Sequence, residues 1–86
     1  MSKKILIVDD EQEIADLVAL YLENENFQVV KFYSAKDALH CIENETLDMA
    51  ILDVMMPGMD GFEVLRELRE QEHGETHLPV MLLTAR

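Results

Sequence analysis

Ile5-Leu6-Ile7-Val8-Asp9-Asp10 is the stretch on which the fold turns. Four consecutive aliphatic residues leave no polar face. That is the pattern of a strand covered on both sides, as in a parallel sheet, and not of a strand with one wet face. The run breaks off on two adjacent carboxylates. Downstream, Ile14, Leu17, Val18, Tyr21 and Leu22 recur at the spacing of a single helical stripe, with acids on the other face. Phe27 to Phe32 reads as a second strand. Ser34 then stands at an N-cap position with Asp37 three residues on, a weak capping box, and Ala35, Ala38, Leu39 and Ile42 form a second helical stripe. Met49-Ala50-Ile51-Leu52 repeats the buried-strand pattern and ends on Asp53, followed by the loop Val54-Met55-Met56-Pro57-Gly58-Met59. Asp60 is placed to cap a third helix that carries Val64, Leu65 and Leu68 and stops near Gly74. Pro79 opens the last apolar run, Val80-Met81-Leu82-Leu83, before Thr84. Met49 and Met81, inside strand runs, are expected in the core. The order β-α-β-α-β-α-β implies right-handed crossovers, a parallel sheet and helices packed on it: an α/β, doubly wound architecture.

Composition narrows the functional classes. At 86 residues and 9.9 kDa the chain holds one domain, with 49% apolar residues to build its core. Seven basic residues against eighteen acidic ones leave a net charge of −11, which repels phosphate backbones and anionic lipid surfaces. Direct nucleic-acid or membrane binding by this segment is therefore not expected. Cys41 is the lone cysteine, so no internal disulfide forms, and a reducing, cytoplasmic setting is expected. The apolar run after Lys3 and Lys4 is too short for a signal peptide or a membrane span.

Ligands of doubly wound sheets bind beyond the carboxyl ends of the strands, where the strand order reverses. Asp9, Asp10 and Asp53 all fall at such ends, and they converge if the first and third strands are neighbours. Convergence is unfavourable: two unit charges 4 Å apart repel by about 1 kcal/mol in water and about 4 kcal/mol at an effective dielectric of 20. A hard divalent cation offsets this, and carboxylate and carbonyl oxygens suit Mg²⁺. Thr84 adds a hydroxyl at the same rim. Taken singly, Asp9-Asp10 would be read as a helix cap and Pro57-Gly58 as a turn; only the set points to a site. His73 and His77 read as loop histidines because Gly74 interrupts the helical spacing between them. His40 reads as helix surface, Cys41 as helix filling, and Met55, Met56 and Met59 as local packing.

The motifs Ile-Leu-Ile-Val-Asp9-Asp10-Glu11, Ile-Leu-Asp53-Val-Met-Met-Pro57-Gly58-Met-Asp60-Gly61 and Leu-Leu-Thr84-Ala85 resemble the receiver domain of bacterial two-component response regulators, most closely those with a winged-helix DNA-binding output. The resemblance implies a flavodoxin-like sheet whose strand order starts 2-1-3-4. Asp53 would be the phosphoacceptor, attacking phosphohistidine on a sensor histidine kinase. Asp10 would bind Mg²⁺ directly, Asp9 would do so mainly through water, and Met55 would offer its backbone carbonyl to the metal. Thr84 would hydrogen-bond the phosphoryl group, and Pro57-Gly58 would shape the loop beneath it.

The family domain is longer, with five βα units. Residues 1–86 match its N-terminal part, without the fourth helix, the fifth strand, the fifth helix and the family lysine that grips the phosphoryl group. Impaired phosphotransfer and self-association through the exposed edge of the fourth strand, or by segment exchange, are expected. The alternative is a non-catalytic receiver fragment acting as a binding or dimerisation module. A dehalogenase-type phosphohydrolase would need a second acid two residues after its nucleophile, and position 55 is Met. A dinucleotide fold would need a glycine-rich loop where Asp9-Asp10-Glu11 stands.

Overall fold

A computed structural model describes residues 3–42, 46–53, 61–70 and 78–83. Four strands and three helices alternate: β1 (Lys4–Val8), α1 (Gln12–Asn24), β2 (Gln28–Phe32), α2 (Ala35–Ile42), β3 (Met49–Asp53), α3 (Gly61–Glu70) and β4 (Val80–Leu83). The strands form one parallel sheet in the order β2-β1-β3-β4. This is the α/β topology expected, and β1 is central, as its unbroken apolar run requires. Ile5 lies beside Val29 on one side and Met49 on the other, and Val8 beside Phe32 and Leu52.

Side-chain alternation divides the core into two layers. Leu6, Val8, Ala50 and Leu52 face α2 and α3, where Ala35, Ala38, Ile42, Val64 and Leu68 close over them. Ile5, Ile7 and Ile51 face the other way and pack on Ala15 and Ala19 of α1. The expected stripe of α2 is borne out, and its N-terminus is capped as read: Ser34 Oγ accepts the Asp37 backbone N–H at 3.3 Å.

The α1 stripe requires a correction. Ile14, Val18 and Leu22 are half-buried, but Leu17 is 68% and Tyr21 67% exposed. The line of contact runs through Ala15 and Ala19, one turn apart on one face, where small side chains let the helix approach the sheet closely. Residues 17 and 21 sit on the flank turned away. Helix α1 ends in a Schellman arrangement. Asn26 takes the left-handed conformation (φ 72°), its N–H donates to Glu23 O at 3.0 Å, and the Phe27 N–H reaches back to Leu22 O at 3.1 Å. Asn is one of the few non-glycine residues that adopts this geometry readily.

Met81 also departs from expectation: it is exposed, not core. It stands beside Ile51 on the α1 side of the sheet but does not join the cluster around Ala15 and Ala19, whereas Leu83, two residues on along β4 and on the same side, is half-buried against that cluster. The expected caps and ends around Asp60 and Gly74 lie outside the described residues. The lead into β4 is tied by Arg69 Nη1, which donates to Leu78 O at 2.7 Å, and at the same end of the sheet Asp48 Oδ2 accepts the Lys4 N–H at 2.8 Å.

Candidate functional site

Asp9 follows β1 and Asp53 is the last residue of β3. The parallel register aligns Val8 with Leu52, so continuing it by one residue sets Asp9 beside Asp53. The Asp9 N–H extends the sheet by donating to Phe32 O at 3.1 Å. One carboxylate oxygen from each of Asp9, Asp10 and Asp53 lies within 4.8 Å of the others. Asp9 and Asp53 are completely buried and Asp10 is half-buried.

Carboxylates removed from water and crowded at this separation repel one another and lose hydration. The arrangement persists because the sheet positions it: β1 and β3 are neighbours, and hydrogen bonding plus core packing hold their ends together. Three converging oxygens, two of them from fully buried side chains, form an anionic, all-oxygen donor set at the switch point between β1 and β3. This set fits a hard cation such as Mg²⁺, which takes one or two carboxylates and keeps other positions for water or phosphate oxygens. Asp9 does a second job. Its Oδ1 accepts the Glu11 N–H at 2.9 Å, closing an Asx turn around Asp10.

Of the expected site residues, Asp9, Asp10 and Asp53 are brought together. Met55 and Thr84 lie outside the described residues, as do Pro57, Gly58, His73 and His77. His40 is exposed and Cys41 half-buried on α2.

A polar network between α1 and β2 was not anticipated. Asp16 on α1 accepts a hydrogen bond from the Tyr33 hydroxyl at 2.7 Å and pairs with Lys31 Nζ at 2.9 Å, linking α1 to the end of β2. The Lys31 hydrogen bond, with help from Tyr33, holds the Asp16 carboxyl below its ordinary pKa. Asp16 in turn raises Lys31 and Tyr33 above theirs. No local sequence signal joins positions 16, 31 and 33; only the pairing of α1 with β2 does.

A parallel sheet of order 2-1-3-4 with helices on both faces and acids at its switch point defines the doubly wound, flavodoxin-like class of α/β domains. Within that class the chain belongs to the response regulator receiver domain family, whose model matches residues 5–86. Regulatory protein VanR of Enterococcus faecium is 51% identical over 86 residues, a match covering 100% of this chain and 36% of that protein. Response regulator GtcR of Aneurinibacillus migulanus is 42% identical over 86 residues, covering 100% of this chain and 34% of that protein. The chain thus spans about a third of the length of these curated relatives. Among solved structures, a CheY-like response regulator receiver domain protein from Methanospirillum hungatei superposes with a TM-score of 0.88 at 32% identity, covering 98% of this chain and 65% of that one. TrrA from Thermotoga maritima, determined in complex with Mg²⁺ and BeF, superposes with a TM-score of 0.85 at 34% identity, covering 98% of this chain and 70% of that one.

Proposed function

We propose that this domain is the phosphoacceptor of a two-component system, taking a phosphoryl group from phosphohistidine on a sensor histidine kinase onto Asp53. The observation that carries the reading is the convergence of Asp9, Asp10 and Asp53 within 4.8 Å at the ends of β1 and β3. It is supported by the receiver relatives and by the Mg²⁺ and BeF complex of a neighbour of the same fold.

In this reading an ionised Asp53 oxygen forms the new P–O bond while the P–N bond of phosphohistidine breaks, and the departing imidazole takes up a proton. A carboxylate needs no general base for this, so positioning and charge compensation supply most of the catalysis. Asp10 and Asp53, with Asp9 through water and the Met55 carbonyl, would hold Mg²⁺. The bound ion would offset negative charge on the transferring phosphoryl oxygens. Asp53 is fully buried, which keeps bulk water from the nucleophile. Thr84 would donate to a phosphoryl oxygen and report its presence. The module catalyses at most its own phosphorylation and dephosphorylation and is not a conventional enzyme. We place it in the cytoplasm, where sensor kinases present phosphohistidine; among the described residues no helix is long and apolar enough to cross a membrane.

The test is incubation with Mg²⁺ and acetyl phosphate, read by intact mass, with beryllofluoride binding in parallel. The expected result is one phosphoryl group on the wild type and none on Asp53→Asn. An unmodified, folded wild type that also ignores beryllofluoride overturns the proposal and leaves the non-catalytic binding module.

A second reading concerns assembly of the 86-residue chain. Val80–Leu83 carries no charge and pairs with β3 on one side only among the described residues, whereas the opposite edge, β2, carries Lys31. An uncharged edge strand is a template for pairing. Self-association through β4 predicts a dimer or larger species in size-exclusion chromatography with light scattering; a clean monomer counts against it.

A further inference from the structure

The Asp9 carboxylate is tied to the backbone that leads into α1. The Asp9 backbone N–H is bound to the sheet at Phe32 O, 3.1 Å away, while its Oδ1 accepts the Glu11 N–H at 2.9 Å. Glu11 is the N-cap of α1. It is extended (φ −85°, ψ 103°) and makes no side-chain capping bond of its own. The Glu11 carbonyl is already engaged with the helix, accepting from Ile14 N and Ala15 N at 3.1 Å each. Ala15 is fully buried against the sheet. The Glu11 peptide is thus gripped at both ends, by the Asp9 side chain on one and by the first turn of α1 on the other. Asp10 is the single residue enclosed between these anchors.

We propose that Asp9 is a positioning residue for Asp10: its Oδ1 bond to Glu11 N–H holds the β1–α1 turn so that the Asp10 carboxylate meets Asp53, independently of any charge Asp9 brings to a metal. The role rests on the Mg²⁺ reading above but is separable from it, because the bond joins two groups of the chain itself, Asp9 Oδ1 and Glu11 N–H. Asparagine at position 9 keeps a carbonyl oxygen that can accept from Glu11 and lacks the charge. Alanine lacks both. Comparing the two variants isolates the hydrogen bond from the electrostatics.

The experiment measures amide hydrogen exchange at Glu11 in metal-free wild type, Asp9→Asn and Asp9→Ala, followed by Mg²⁺ titration calorimetry of all three. Glu11 should be protected in wild type and Asp9→Asn, and should exchange about fivefold faster in Asp9→Ala, as expected for the loss of one net hydrogen bond. Both variants should bind Mg²⁺ more weakly than wild type, with Asp9→Ala weaker than Asp9→Asn by a further factor of about five. Equal Mg²⁺ affinity for the two variants, or equal Glu11 exchange in Asp9→Ala and wild type, overturns the positioning role. An unprotected Glu11 amide in metal-free wild type does the same without any variant, which keeps the proposal open to refutation should Asp9→Ala not fold. Absence of Mg²⁺ uptake by the wild type would instead overturn the functional reading, while the exchange comparison would still judge the turn.

Discussion

The two faces of the sheet are covered differently. On one face α2 and α3 lie over Leu6, Val8, Ala50 and Leu52, and even Leu82 on the edge strand is half-buried. On the other face α1 is the one helix among the described residues. Along one row of that face exposure rises from 1% at Ile7 to 6% at Ile51 and 50% at Met81. All three side chains are apolar and all three sit in strands. Burial therefore follows the footprint of the covering helix and not the hydrophobicity of the strand. The same holds within α1, where Ala19 is buried while the larger Leu17 is exposed.

The comparison can be broken in four places. The largest effect is expected on the two-helix face. Leu52→Ala should leave a cavity between β3 and the α2–α3 layer and lower stability by about 2–5 kcal/mol in denaturant unfolding. If its cost is no greater than that of a surface change, the division of the core is wrong. Ala19→Leu probes the close approach of α1 and should cost about 1–3 kcal/mol by overpacking. A neutral result would mean that the helix can lift from the sheet freely. Met81→Ala should change stability by no more than about 0.5 kcal/mol, the range of surface substitutions. A loss as large as that at Leu52 would show the residue to be covered.

The smallest effect belongs to the exposed Asp16–Lys31–Tyr33 network at the β2 edge. Asp16→Asn should weaken the link between α1 and β2 slightly at low salt, and the difference should fade as salt is raised. The signs of the pH dependence follow from the shifts. The Asp16 pKa is lowered, so its contribution is present above the ordinary carboxylate value of 3.8 and is lost as pH falls through the lower folded value. Lys31 is raised, so its contribution is complete below 10.5 and is lost as pH rises through the higher folded value. A wild-type-minus-variant difference that persists in strong salt would contradict this account.

Much of the fold was legible because it is written in runs and spacings. The apolar stretches ending on Asp9 and Asp53 announced buried parallel strands and placed both acids at strand ends. Ser34 announced the start of α2, and Ala35, Ala38 and Ile42 its inner face. The α1 stripe was misread because periodicity weights large side chains, whereas close helix–sheet contact favours the small ones at positions 15 and 19. Met81 was misread because an apolar strand residue looks the same in the middle of a sheet and at an edge position outside the cluster around Ala15 and Ala19. The Asx turn from Asp9 to Glu11 and the Asp16–Lys31–Tyr33 network left no usable pattern, since each depends on where particular side-chain atoms lie.

By itself the amino-acid order determined the alternation of strands and helices, the acidic character of the chain and the identity of the three carboxylates, because backbone propensity and side-chain period act over a few neighbouring residues. Tertiary structure decided which apolar residues are covered, that β1 and β3 lie side by side so that residues 9 and 53 meet, and how the Asp9 carboxylate is divided between the site and the lead into α1. Apart from the Asp9–Glu11 bond, which spans two residues, those outcomes come from packing and hydrogen bonding between segments tens of residues apart, and no local pattern encodes them.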